Sequence, residues 1–210
     1  MIGMQQQPPR ERSAKERQIL EAAYGVFYRY GFARTTMADL AAAAGLSRPA
    51  LYLVYPGKAE VFEAVVDWFV ERTLEQIRAT LDARWPLERQ LLHVAELAVA
   101  QGYDILKSNP DAADLLSPER HGPALQASFG RLQAFLAELL RAPVERAAVG
   151  TTHDALAHML MAAMKGFKLV AKDGTELRRL IATQVRLTVV ALGEPVPKPA
   201  RARAAPRKSA

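Results

Sequence analysis

The chain has 210 residues, 50% of them hydrophobic and 24% charged, with no cysteine and a formal net charge of +6. So apolar a chain can bury a sizeable core, which excludes general disorder, and the missing cysteine excludes disulfides, thiol nucleophiles and thiolate-bound zinc. No apolar run approaches the roughly 18 residues of a membrane span, and Met1 to Pro9 lacks the apolar stretch of a secretory signal, so a cytoplasmic protein without a membrane partner is expected. The positive charge sits at the ends. Residues 1–58 hold eight basic against four acidic side chains, residues 59–192 hold 15 against 17, and residues 193–210 hold five against one.

Residues 1–12 read as a basic, flexible arm. Arg10, Arg12, Lys15 and Arg17 could lie along a nucleic-acid backbone or simply be solvated. From Ser13 onward apolar residues recur every third or fourth position and β-branched clusters are scarce, which predicts helices throughout. Ser13 and Glu16 form a capping box, Ile19, Ala23, Val26, Phe27 and Tyr30 make one apolar stripe, and Gly31 supplies the stop. Thr36 and Asp39 open a second, short helix that buries Met37, Leu40 and Ala41 and ends at Gly45. Ser47 caps a third helix over 47–54, with Pro49 in the first turn, where a missing N–H costs nothing. Two short helices on a tight glycine turn, backed by a longer one, make a helix-turn-helix over residues 13–58.

A longer body follows over residues 59–192. Its predicted helices run from Lys58 to about Ala83, Pro86 to about Ser108, Asp111 to Leu116, Ala124 to Arg141, Thr152 to Ala171 and Thr175 to Leu192, with a loop at Pro118, Gly122 and Pro123. The fold class is therefore all-α, about nine helices in a DNA-binding domain and a larger second domain. Residues 193–210, with four prolines and nothing apolar larger than Val196, read as a disordered basic tail.

Gly31-Phe32, Thr35-Thr36, Leu40-Ala41, Ala44-Gly45-Leu46-Ser47, Leu51-Tyr52 and Lys58 stand at the spacing G-[FY]-x-x-T-T-x-x-x-[IL]-A-x-x-A-G-[VL]-S-x-x-x-[LF]-Y-x-[YH]-F-x-x-K. In this the segment 15–63 closely resembles the DNA-binding part of the tetracycline-repressor (TetR) family. Val54 stands where that family commonly has Tyr or His, and Tyr55 replaces its usual Phe. The resemblance implies a homodimeric transcriptional repressor that leaves a double-stranded DNA operator when a small, largely apolar effector enters the body. It also implies backbone contacts from Tyr52 and Lys58, which set register without reading bases.

The residues themselves suggest the remaining DNA contacts. Thr35 or Thr36, at a helix N-terminus, can meet a phosphate. Base reading falls to the exposed face of the third helix, Ser47, Arg48, Pro49, Ala50 and Leu53, where Arg48 can grip guanine O6 and N7 or rest on a phosphate, and Pro49, Ala50 and Leu53 can touch thymine methyls.

The body shows no catalytic pattern, so neither enzymatic activity nor a cofactor is expected. His93, His121, His153 and His158 are scattered, Asp154 and His158 read as a surface i,i+4 pair rather than a metal site, and Ser117 and Ser128 lack the pattern of an activated nucleophile. The family resemblance implies an effector pocket, for which Trp68, Tyr103, Leu106, Phe129, Leu132, Phe135, Met159, Met161, Met164 and Phe167 are candidates. It also implies a four-helix dimer interface from the last two helices, with Ala157, Leu160, Leu177, Ile181, Val185 and Val189 as candidates. The alternative is an architectural or nucleoid-associated DNA-binding protein, which would have a collapsed body without a pocket.

Overall fold

The computed structural model describes residues 12–116, 123–141 and 150–193, and every regular element among them is helical. The arm before Arg12, the loop positions Pro118 and Gly122, His121 and the tail after Gly193 lie outside these residues. Helix α1 (Ala14–Arg34) opens on the expected capping box: the Ser13 hydroxyl accepts from the Glu16 N–H at 3.2 Å, and the Glu16 carboxylate accepts from the Ser13 N–H at 2.8 Å. Gly31 does not end it. With φ 74° this residue breaks the helix line, but one more turn continues to Arg34, held from outside by contacts described below.

The Thr36–Asp39 box opens α2 (Met37–Ala43) as predicted, and hydrogen bonds from the Thr36 hydroxyl and then the Thr36 N–H hold the Asp39 carboxyl below its ordinary pKa. Gly45, at φ 66°, turns the chain toward Ser47, which caps α3 (Arg48–Tyr52). This helix is shorter than the expected 47–54, because the N–H groups of Val54 and Tyr55 both turn back to the Leu51 carbonyl and Pro56 cannot donate to a further turn. Helices this short have no independent stability. They are held by a core of Ile19, Leu20, Ala23, Phe27, Leu40 and Leu51, completed by Val61, Phe62 and Val65 from α4 (Lys58–Thr80). Each fully buried aliphatic side chain contributes about 1.5–3 kcal/mol. The first core thus extends past residue 58 into α4, whose later residues Val70, Leu74 and Ile77 belong to a second core.

That second core fills the body. Its elements are α5 (Leu87–Ala95), a π-helical turn (Glu96–Ala100), α6 (Gln101–Lys107), a 3₁₀ turn (Pro110–Leu116), α7 (Pro123–Arg141), α8 (His153–Val170) and α9 (Gly174–Ala191). Where one continuous helix was expected from Pro86 to Ser108, the π turn interrupts it. Arg178 of α9 binds Glu96 at 2.6 Å and Asp104 at 2.7 Å, clamping the turn from both sides.

Several expected surface roles are corrected by packing. Arg12 is not part of a mobile arm: its side chain is nearly buried and pairs with Asp67 at 2.5 Å and with Glu71, both on α4. Tyr30, placed on the buried stripe, is 40% exposed. Asp154 pairs with Arg141 at 2.9 Å, and His158 bonds Gln133 instead. The six residues assigned to the dimer interface, Ala157, Leu160, Leu177, Ile181, Val185 and Val189, are all buried within the protomer, because α8 and α9 turn those faces onto the second core.

Candidate functional site

The α2–α3 unit projects an open surface. Thr36 and Ser47 are exposed caps at the two helix starts, and Arg48 and Pro49 follow at the first positions of α3 with Ala50 half-buried behind them. Tyr52 is 48% exposed and Leu53 is 87% exposed, high for an apolar side chain. Arg48 makes no hydrogen bond or ion pair among the described residues, and its charge reaches Asp39 only as a weak field. One face therefore presents a guanidinium, a phenol, hydroxyls and apolar side chains together, the mixture that a DNA groove and its phosphates accept.

Two predicted members of this face are drawn inward. Thr35 is 1% exposed, and its hydroxyl donates to the Gly31 carbonyl at 2.6 Å, so it closes the end of α1 and cannot reach a phosphate. Lys58 is half-buried. Its ammonium donates to the carbonyls of Phe32 at 2.7 Å, Ala33 at 3.3 Å and Thr35 at 2.7 Å, and lies 4.5 Å from the Phe32 ring centroid. All three protons are directed to the last turn of α1, which makes Lys58 a structural clamp in this structure.

The same turn is gripped from the body. Asp114 of the 3₁₀ turn accepts from the N–H groups of Phe32 at 3.0 Å and Ala33 at 2.7 Å, Asp111 pairs with Arg34 at 2.5 Å, and the Asn109 amide donates to the carbonyls of Tyr28 and Arg29. Residues 31–35 therefore form a joint, with their donors held by the body and their acceptors held by Lys58 at the root of α4. Gly31 is required here: a Cβ would lie 2.5 Å from Asp114 Oδ1 and closer still to the Asp111 carbonyl oxygen.

Behind the joint, where the two cores meet, lies a cavity of about 310 Å³. Phe27, Phe62 and Val65 reach it from the first core, Val99 and Tyr103 from the second, and Phe129 packs against both. Leu106 and Leu115, the latter within the 3₁₀ turn that carries Asp114, complete its connection to the joint. Of the ten residues expected to line a pocket, Tyr103, Leu106 and Phe129 do so. Trp68 faces a smaller cavity of about 210 Å³ beside it. Leu132, Met161 and Met164 are buried in the second core, Phe135 and Phe167 pack on its edge, and Met159 is 58% exposed.

The sequence reading missed Tyr24 and Tyr28 of α1 and Lys165 and Lys168 of α8, all four in the cavity wall. Tyr24 and Tyr28 are an i,i+4 aromatic pair with ring centroids 4.3 Å apart, a spacing visible in the sequence as a second stripe on α1. Burial raises the pKa of both phenols. No cluster of potential metal ligands occurs among the described residues, and none of their helices is long and apolar enough to cross a membrane.

An all-helical chain with a capped helix-turn-helix, an exposed recognition face and a larger helical body defines a class of DNA-binding regulator. Comparison with known proteins specifies it. Residues 19–65 match the family model of bacterial regulatory proteins of the tetR family. The HTH-type transcriptional regulator TtgR of Pseudomonas putida is 50% identical over 50 residues, 24% of each chain. The nucleoid occlusion factor SlmA of Shewanella woodyi is 28% identical over 142 residues, 63% of this chain and 70% of that protein. A transcriptional regulator from Saccharomonospora viridis, solved in complex with choline, shares the fold at 18% identity with a TM-score of 0.61, covering 83% of this chain and 97% of the other. Residues 19–65 thus carry a DNA-binding domain of the tetR family, and the chain is a DNA-binding transcriptional regulator.

Proposed function

We propose that this chain is a homodimeric repressor, cytoplasmic and without enzymatic activity, whose hold on its operator is weakened by a small molecule in the seam cavity. The observation that carries this reading is the joint at residues 31–35. One shared turn of backbone is fixed by Asp114, beside the cavity, and by Lys58, which roots the recognition unit. A ligand that displaces Leu115 or Leu106 moves the turn that holds Asp114, and the joint passes this to α1 and α2. Coupling of this kind is typically worth 1–3 kcal/mol.

The second copy is seated on the outward side of α8 and α9. Met159, Ala162, Gly166 and Val170 follow one another at helical spacing on α8, and Thr183, Leu187 and Val190 do so on α9. These exposed residues make an apolar strip in place of the buried set first assigned, and two such strips form the four-helix contact that the family resemblance implies. Two recognition units then meet successive major grooves of a near-palindromic site.

A second reading, an architectural DNA-binding protein, draws on the likeness to a nucleoid occlusion factor. The open cavity favours ligand control instead. Selection of bound sites from random DNA separates the two: the repressor reading expects a short palindrome, and the architectural reading expects weak preference. On the selected site Arg48→Ala is expected to flatten discrimination at one position per half-site by about 1–3 kcal/mol. A uniform loss over all sequences would instead place Arg48 on phosphate.

A further inference from the structure

The chemistry of the seam cavity narrows its ligand. Most of the wall is aromatic and aliphatic, with rings from Tyr24, Phe27, Tyr28, Phe62, Phe69 and Phe129, which suits an apolar body. Into this wall α8 places two cations one helical turn apart, Lys165 and Lys168. Neither has a carboxylate partner among the described residues. The Lys165 ammonium lies 4.6 Å from the Phe129 ring centroid, at the cavity itself.

Four acids on the elements around the cavity are engaged elsewhere. Glu96 and Asp104 are held by Arg178, Asp67 by Arg12 and Arg131, and Asp114 by the backbone of the joint. Burial lowers the pKa of both lysines, and the charge of Lys165 lowers that of Lys168 further. Lys168 is thus half-buried with a like charge, that of the exposed Lys165, beside it, an arrangement that a bound anion relieves.

We infer that the cavity takes an amphipathic carboxylate, its apolar body among the aromatic rings and its carboxylate seated on Lys165 and Lys168. At roughly 20–30 Å³ per atom-sized group the body and head together amount to about ten to fifteen non-hydrogen atoms. This assignment rests on the effector reading above and specifies the head group that reading leaves open.

The test titrates the purified full chain with decanoate, 1-decanol and decyltrimethylammonium, and with 2-naphthoate and 2-naphthalenemethanol, by calorimetry. The alkyl and naphthyl arms separate a flexible from a planar body, and the head groups are compared within each arm. At least one carboxylate is expected to bind about 10- to 100-fold more tightly than its alcohol, the difference a charge-assisted contact supplies. In the double variant Lys165→Met/Lys168→Met that preference disappears while the alcohol affinity stays within about threefold.

The assignment is overturned if an alcohol or the ammonium compound binds as tightly as the matching carboxylate, if no carboxylate binds, or if the preference survives in the double variant. The wild-type head-group comparison stands alone should that variant not fold. Affinity for the selected DNA site is read in the same samples. A carboxylate that binds and leaves DNA affinity unchanged overturns the effector reading but keeps the head-group assignment, and a neutral ligand that binds best and releases DNA does the reverse.

Discussion

The two cores differ in how far along the chain their contacts reach. At the helix starts of the DNA-binding half the organising contacts are local: Ser13 with Glu16, Thr36 with Asp39 and Ser47 with Ala50 are each three residues apart, and the Lys58 clamp spans at most 26, while the joint at the end of α1 and Arg12 are held from farther along the chain. In the body Tyr103 bonds Ala171 across 68 residues, Arg178 reaches Glu96 across 82 and Arg186 reaches Glu88 across 98. The recognition unit is thus built from side chains that fix their own neighbourhood. The body's cavity and the exposed strip proposed as the dimer contact exist only once distant helices have packed, and it is there that the proposed control over DNA binding is placed.

The strongest way to break this contrast is at the dimer strip. Leu187→Lys puts a charge on each side of the two-fold contact, where like charges cost several kcal/mol, and dimer affinity is expected to fall by about two orders of magnitude or more. The protomer stays folded because Leu187 is 60% exposed. Sedimentation at equal concentrations reads the outcome, and an unchanged dimer would place the interface elsewhere.

The joint comes next. Gly31→Ala forces a side chain into positive φ and against Asp111 and Asp114, at an expected cost of roughly 2–4 kcal/mol in urea unfolding. A loss below about 1 kcal/mol would show that the 3₁₀ turn moves aside freely, and with it the coupling route.

Lys58→Met tests the clamp with a smaller expected effect. Stability falls by about 1–3 kcal/mol as three carbonyls lose their donor, while the salt dependence of DNA binding keeps its slope. A slope reduced by about one would return the ammonium to a phosphate.

Legibility in the sequence followed the same division. Both capping boxes, the Gly45 turn and the Ser47 cap were readable because each is a local rule satisfied within a few residues, and the expected starts of α7, α8 and α9 fall within a residue of those observed. The inward turn of Thr35 and Lys58 was not legible for one reason: a hydroxyl or ammonium at such a position has the same spacing whether it points outward or folds back onto the carbonyls of α1. The dimer residues failed similarly. The periodicity of α8 and α9 shows two apolar faces, and nothing local says which meets the protomer's own core.

Composition and spacing by themselves determined that this chain is helical and where its first helices begin and turn, because these properties depend on neighbours within a turn or two. Only tertiary structure decided that Arg12 directs its charge onto α4, that Tyr24 and Tyr28 of the DNA-binding half help to enclose the cavity, and that Lys165 and Lys168 stand there without a carboxylate partner among the described residues. The physical reason is that a cavity and an unpaired charge are defined by what surrounds them, and their surroundings come from helices up to about 140 residues apart in the chain.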